Sequence, residues 1–315
     1  MAIIEERTIL STDGSHTLRG KLYLPESGEV KAVVHVVHGM KEHIGRYDGF
    51  MKFLTAYGYA VFGYDHMGHG ETAAHGGMFG YIAENGGDQI LIRDVNLFAE
   101  QIMREFAGKK YIRFGHSMGS FLVRLASLSM VPDALIICGT GGPVAGSGAG
   151  IALCSLIKRL KGGQYVSSLI ENLIFGRSND LFLEENNKNA WLCRDDSLKE
   201  AYAKDPWCTF DFTVAAYEDL IRLNRAANRK KWVDELDKNM PIMLISGSED
   251  PIGGNGKGVT AVYDRLKASG ANVKVFKLYQ KGRHEILNEL NSDEVFADIL
   301  AFVNEVAEPY LCRIC

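Results

Sequence analysis

Six short apolar runs constrain what this chain can fold into more than any other feature. They read KAVVHVVHG (31–39), YAVFGYD (59–65), KYIRFGH (110–116), DALIICGT (133–140), PIMLISG (241–247) and VKVFKLY (273–279). Several are apolar at almost every position rather than at alternate ones. A strand covered on both faces reads that way, as in a parallel sheet held between helices. Helix-like patterns lie between them, around 46–57, 88–106, 117–130 and 256–269, with a last one around 292–307. This alternation favours right-handed βαβ crossovers, so the expected fold is α/β, with an open, mostly parallel, doubly wound sheet. At the start, TLRGKLYLP (17–25) follows the turn TDGS and is expected to pair with RTILS as a hairpin.

One interval breaks the rhythm. Between DALIICGT and PIMLISG lie about 100 residues without a convincing strand. A structureless loop of that length is implausible inside a compact domain. The interval instead reads as helices: GIALCSLIKRLKG, QYVSSLIENLIFG, DSLKEAYAKDP and TVAAYEDLIRLNRAANRK. The expected organisation is a core domain of residues 1–142 and 211–315 with an inserted helical cap, or lid, at 143–210. Ile151, Leu153, Leu156, Ile157 and Leu160 recur near helical spacing beside Lys158, Arg159 and Lys161. Val166, Leu169, Ile170, Leu173 and Ile174 do the same in the next segment. Such faces pack on a core, or line a ligand cavity and meet an apolar surface, and both can hold at once.

The run YIRFGHSMGSFLVRLAS (111–127) passes from strand to helix through Gly-His-Ser-Met-Gly. Ordinary turns also use Gly and Ser, so the pattern by itself only suggests a site. A serine on a tight strand–turn–helix at the sheet's C-terminal edge presents its Oγ to a cleft, and Gly115 and Gly119 leave room for the turn. The Met118 N–H opens the following helix, where it can donate to a developing oxyanion. A hydroxyl is a weak nucleophile and needs a base with an orienting acid. Asp250 follows the strand at 241–247 in SEDPIGG, and His284 follows the strand at 273–279 in QKGRHEILNE. Glu249 is a neighbouring rival to Asp250, whereas His284 has none at that end of the chain. The order Ser, Asp, His, each just past a strand end, is specific where any one residue would be weak. After the first long apolar run comes His38-Gly39-Met40, which makes the Met40 N–H the second candidate oxyanion donor.

On these residues the chain resembles an α/β-hydrolase of the monoacylglycerol lipase and lysophospholipase group, sometimes filed with serine aminopeptidases. The resemblance is carried by HGMKEHIGRY (38–47), YDHMGHGETA (64–73), GHSMGS (115–120), AYAKDPWC (201–208), GSEDPIGGNGKGV (247–259) and GRHEILNE (282–289), spread over most of the chain. It implies the α/β-hydrolase fold with a helical lid. It also implies Ser117 as nucleophile, Asp250 as acid and His284 as base, with the Met40 and Met118 N–H groups as the oxyanion hole. The expected activity is hydrolysis of monoacylglycerol or lysophospholipid esters through an acyl-enzyme, without cofactor or metal. The chain departs from the group at Lys41, where a small residue is common, and at Glu71-Thr72, where a residue followed by serine is expected. The same parts also serve small carboxylesters, amides and peptides. From another class, a non-catalytic ligand-binding protein can share this fold, but the complete Ser-Asp-His set speaks for turnover. Haloalkane or epoxide chemistry usually needs an aspartate where Ser117 stands.

Other motifs fail on their spacing. His66 and His69 lie three apart in a Gly-rich turn with no carboxylate motif beside them, so no metal site is expected, and His35 reads as a core histidine. GGNGKG (253–258) lacks a phosphate loop's first glycine, which is Pro251 here, and its hydroxyl position is Gly258. A net charge of −4 speaks against nucleic acid as a main partner. The expected partner is a small lipid or ester substrate, with transient contact of the lid at a membrane or micelle surface. The six cysteines form no disulfide framework, no signal peptide is legible at the N-terminus, and no apolar run reaches the length of a spanning helix. A cytoplasmic location is expected. The terminal CRIC fits a prenylation box poorly at Arg313 and Cys315 and is expected to be a frayed tail.

Overall fold

In the computed structural model, which describes residues 2–308, the apolar runs become the middle of one eight-stranded sheet. Its strands are β1 (Ala2–Leu10), β2 (Thr17–Pro25), β3 (Ala32–Val37), β4 (Ala60–Asp65), β5 (Lys110–His116), β6 (Ala134–Cys138), β7 (Ile242–Gly247) and β8 (Val273–Tyr279). They lie in the order β1-β2-β4-β3-β5-β6-β7-β8. β2 is antiparallel to both β1 and β4, and all other pairings are parallel.

Every residue of β3, β4, β6 and β7 is buried, which is why these strands read as unbroken apolar runs. Neighbouring side chains still go to opposite faces. Val33 and Val37 join one core with Phe62, Phe98, Leu122 and Leu244, while Val34 and Val36 join a second with Phe50, Phe114, Ile136 and Phe302. The helices Gly87–Met103, Met118–Ala126, Val214–Ala227 and Lys257–Ala268 cover the first face, and Asp48–Ala56 and Ser292–Ala307 cover the second. Of the outer strands, β1 is largely solvent-facing and β8 mostly half-buried, and β1 carries Glu5, Glu6 and Arg7, charges that discourage edge-to-edge pairing.

Two details differ from expectation. β1 begins at Ala2, five residues before RTILS, because β2 is long enough to pair it through the register Ala2↔Pro25. A helix at Lys230–Glu235 was not foreseen; it is pinned by buried Trp232, whose Nε1–H donates to the Arg124 carbonyl at 2.7 Å. Residues 143–210 hold the helices Ser147–Lys161, Ser168–Phe175 and Asp196–Lys204. The last two start at side-chain caps: Ser167 accepts from the Ile170 N–H, and Asp195 from those of Ser197 and Leu198. Among the described residues the only strand-like pairing there is a single bridge, Val166 to Thr213. The helix Ser147–Lys161 lies on Val214–Ala227, burying Cys154 and leaving Leu156 and Leu160 outside.

Among the described residues Cys138, Cys154, Cys193 and Cys208 are unpaired and buried. No described helix is long and apolar enough to cross a membrane. The CRIC tail lies outside the described residues.

Candidate active site

Ser117 occupies the single residue between β5 and the helix Met118–Ala126, with φ 53° and ψ −118°. That region is strained for any residue with a side chain, and such strain persists only where the surroundings over-determine it. Here they do. A Cβ on Gly115 would come inside 3.0 Å of the Gly119 carbonyl, and one on Gly119 inside 3.0 Å of the Val37 and His38 carbonyls. The helix therefore closes directly onto the ends of β3 and β5 only because both positions are glycine. The Ser117 N–H is also tied to the Cys138 carbonyl at 3.1 Å.

The loops after β7 and β8 bring the two expected partners to this serine. His284 Nε2 lies 2.9 Å from Ser117 Oγ, and His284 Nδ1 lies 2.9 Å from Asp250 Oδ1. Asp250 is wholly buried, yet its oxygens are well supplied: Oδ1 also accepts from the Ile252 N–H at 2.9 Å, and Oδ2 accepts from Ser246 Oγ at 2.9 Å. It is Asp250, and not the half-buried Glu249, that meets the imidazole. Met40 lines the pocket in front of Ser117. The Met118 side chain is buried in the core, but its N–H belongs to the first helical turn, whose amides have no partner within the helix.

Behind these residues lies a cluster of buried charge that the sequence did not disclose. Glu42 Oε1 accepts from the Gly39 N–H, from the Tyr47 hydroxyl at 3.0 Å, and faces His116 Nδ1 at 3.0 Å. Arg46 reaches Glu42 at 3.4 Å and forks onto Glu285 at 2.5 and 2.7 Å. Burial works against charge at His116, but the Glu42 carboxylate outweighs it and raises the imidazole's proton affinity. Glu42 and Glu285 are held below the usual carboxylate range: burial opposes this, but His116 and Arg46 prevail at Glu42, and Arg46 prevails at Glu285. Both acids and His116 stand inside the quoted motifs, yet only their mutual burial marks them out. His38, His66 and His69 cluster separately with rings 4.2 to 6.1 Å apart, and burial lowers the proton affinity of all three. His35 sits in the core against Phe62, its Nδ1 2.9 Å from the Tyr111 hydroxyl.

The cleft over Ser117 has a volume of about 350 Å³. Phe175, Trp191, Leu192 and Tyr202 give it apolar walls, and Asn172, Asn179 and Lys188 give it polar ones. Residues 185–208 grip the loops around it. The His284 and Glu285 N–H groups donate to the Trp191 and Leu192 carbonyls at 3.3 and 2.7 Å, and the Trp191 ring lies 5.1 Å from the His284 ring. Arg283 pairs with Glu185, and Arg194 with Glu289 at 2.7 Å. On the other side, the Tyr202 hydroxyl donates to the Lys41 carbonyl at 3.1 Å, and Asp205 meets His43 at 2.8 Å. Lys41, the departure noted above, adopts φ 54° and points its Nζ at Glu171, 3.6 Å away.

A family model described as serine aminopeptidase, S33, matches residues 28–291. Monoglyceride lipase of Mus musculus is 27% identical over 285 residues, spanning 90% of this chain and 84% of its own length. Monoacylglycerol lipase of Mycolicibacterium smegmatis is 23% identical over 321 residues, spanning 94% and 98%. Among solved structures, a highly thermostable carboxyl esterase from Bacillus coagulans in complex with glycerol is similar with a TM-score of 0.91 at 27% identity. That match covers 98% of this chain and all of the esterase chain.

Proposed function

The chain belongs to the serine aminopeptidase S33 family and has the α/β-hydrolase fold, and from that premise we propose that it is a carboxylic ester hydrolase acting on monoacylglycerol- or lysophospholipid-type esters. The observation that carries the reading is the pair of 2.9 Å contacts from His284, one to Ser117 Oγ and one to Asp250. His284 takes the proton as Ser117 Oγ attacks the ester carbonyl. The Met40 and Met118 N–H groups receive the negative charge that develops on the carbonyl oxygen. Asp250 fixes the imidazole's tautomer and stabilises its positive charge. His284 then protonates the departing alcohol, and water repeats the cycle on the acyl-enzyme.

Residues 143–210 serve as a lid over the core formed by 1–142 and 211–315, and the lid is also the surface that meets lipid aggregates. In support, Leu156 and Leu160 share one exposed face of their helix, Leu169 and Leu173 share another, and all four are more than half exposed. Arg159 and Lys161 stand exposed beside the first pair. Such a face suits an anionic lipid surface. A second reading, a small-ester carboxylesterase, draws on the modest cleft with its Asn172, Asn179 and Lys188 wall.

The test is hydrolysis of a long-chain 1-monoacylglycerol and a short-chain p-nitrophenyl ester by wild type and by Ser117→Ala, with fluorophosphonate labelling. Strong preference for the monoacylglycerol, and a variant dead on both and unlabelled, is the expected result. Turnover of the short ester alone selects the second reading. Labelling at a residue other than Ser117 refutes the proposed nucleophile.

A further inference from the structure

His116 precedes the proposed nucleophile and is 4% exposed, and both of its ring nitrogens face oxygens. Its Nδ1 faces Glu42 Oε1 at 3.0 Å and its Nε2 faces the His284 main-chain carbonyl at 3.2 Å. Both neighbours are acceptors. A neutral imidazole has one N–H and one lone pair, so in either tautomer one nitrogen would point its lone pair at an oxygen. A proton on Glu42 does not relieve this. Its Oε1 already receives the Gly39 N–H and the Tyr47 hydroxyl, and its Oε2 faces Arg46. The arrangement is satisfied when Glu42 is a carboxylate and His116 carries both protons.

The same two side chains join the three parts of the proposed site. Glu42 holds the amide of Gly39, next to Met40. His116 is the residue before Ser117. Through its Nε2 it holds the carbonyl of His284, and its ring lies 4.8 Å from the His284 ring. Glu42, His116 and Glu285 also form the wall between the cleft over Ser117 and a second cavity of about 170 Å³ lined by Arg46, Tyr47 and Phe50.

We propose that Glu42 and His116 are a positioning pair: a carboxylate and an imidazolium that together hold the Met40 loop, Ser117 and the His284 loop at their working separation. The inference rests on the serine-hydrolase reading above. The charged and titratable groups facing His116 are Glu42, the His284 ring, Glu285, and the buried Tyr47 and Cys138, with Arg46 behind Glu42. Of these only the two acids favour its charged form, and Glu42 touches it. Removing the Glu42 charge leaves burial, the largest influence and one that favours neutral His116, opposed only by Glu285 and the His284 carbonyl.

Two measurements test the pair. The first is a long-range ¹H–¹⁵N spectrum of histidine side chains in the wild type at pH 7.5, with His116 assigned by its loss in His116→Gln. Both His116 nitrogens are expected at protonated positions, and a neutral His116 overturns the proposal. The second is Glu42→Gln, which keeps an acceptor oxygen and removes the charge. Its kcat on the short ester is expected to fall about 10- to 100-fold with KM nearly unchanged, the scale of a sub-ångström to 1 Å misplacement. It should also lose activity as pH rises, because His116 now sheds its proton within the range where the wild type keeps it. A merely structural role would lower stability without adding that limb. Wild-type kcat and pH profile in the variant overturn the proposal. Should Glu42→Gln not fold, the wild-type spectrum still decides. An inactive wild type sinks the reading of the reaction and leaves the His116 spectrum to be judged alone.

Discussion

Ser117 and Gly119 divide one geometric problem between them. The serine accepts a left-handed backbone so that its Oγ stands clear of the sheet, and the glycine lets the next helix approach the end of β3. The atoms a Cβ would strike at position 119 are the main-chain carbonyls of Val37 and His38, which cannot rotate away as a side-chain tip would. Relief requires moving the end of β3 and with it the Met40 loop. Gly119→Ala is therefore expected to lower stability by about 1–3 kcal/mol, the usual range for overpacking. It should also slow fluorophosphonate labelling by a larger factor than the stability loss explains, since the loop proposed to hold the oxyanion shifts. Denaturant unfolding and labelling rates, measured together, check this. Wild-type values in both would mean that the loop absorbs the methyl group elsewhere.

The loop carrying His284 owes its place to its neighbours more than to its own sequence. Its neighbour Glu285 is buried against Arg46 from the 3₁₀ turn Ile44–Tyr47, and its amides are bonded to the 191–192 segment. Glu285 has a folded-state proton affinity below that of a free carboxylate, because Arg46 outweighs the effect of burial. Such a group contributes stability that is fully present above its unfolded pKa and lost as pH falls through the depressed folded value. Glu285→Gln leaves Arg46 buried without its main partner and is expected to cost about 3–5 kcal/mol at pH 7. Below pH 4.5, the ordinary value for glutamate, the unfolded wild-type chain takes up a proton that folded Glu285 does not accept until about 2, so wild type loses this stability while the glutamine variant does not. The gap between variant and wild type should therefore narrow from there downward. Urea unfolding of both proteins between pH 7 and pH 3 reads this directly, and a gap independent of pH would show that the pair contributes no charge-dependent stability.

Taken as a whole, the molecule hides apolar surface on both faces of its sheet, and one end of the 143–210 segment, residues 156–183, carries eight of the seventeen exposed large apolar side chains among the described residues. Leu160 is 74% and Leu173 66% exposed, so charging them should disturb folding by less than about 0.5 kcal/mol. If this end meets lipid, burying each leucine there contributes up to about 1.5–3 kcal/mol. The double variant Leu160→Asp, Leu173→Asp is expected to bind anionic phospholipid vesicles at least about tenfold more weakly. It should also hydrolyse vesicle-borne monoacylglycerol more slowly, with short-ester turnover in solution unchanged. Unaltered vesicle binding would move the lipid contact elsewhere.

What the sequence by itself determined is whatever neighbours within a few positions can encode. Continuous apolar runs located β3, β4, β6 and β7 to within a residue or two, because burial on both faces leaves few polar positions in the strand, and the more mixed runs at β5 and β8 were placed as closely. Glycines at 115 and 119 marked the turn at Ser117, and the strand ends indicated the loops that bring Asp250 and His284 to it. Only the tertiary structure decided which face of Ser147–Lys161 is buried, that Lys230–Glu235 is a helix, and that Trp191 lies over His284. The same holds for Glu42, Arg46, His116 and Glu285. Each looks like an ordinary surface or turn residue in its own stretch, and the contacts that give it meaning span 74 to 239 positions. Local periodicity reports the neighbours a residue has in the chain. Burial of a charge depends on sheet order and on how the loops meet at the strand ends, and those are properties of the folded molecule alone.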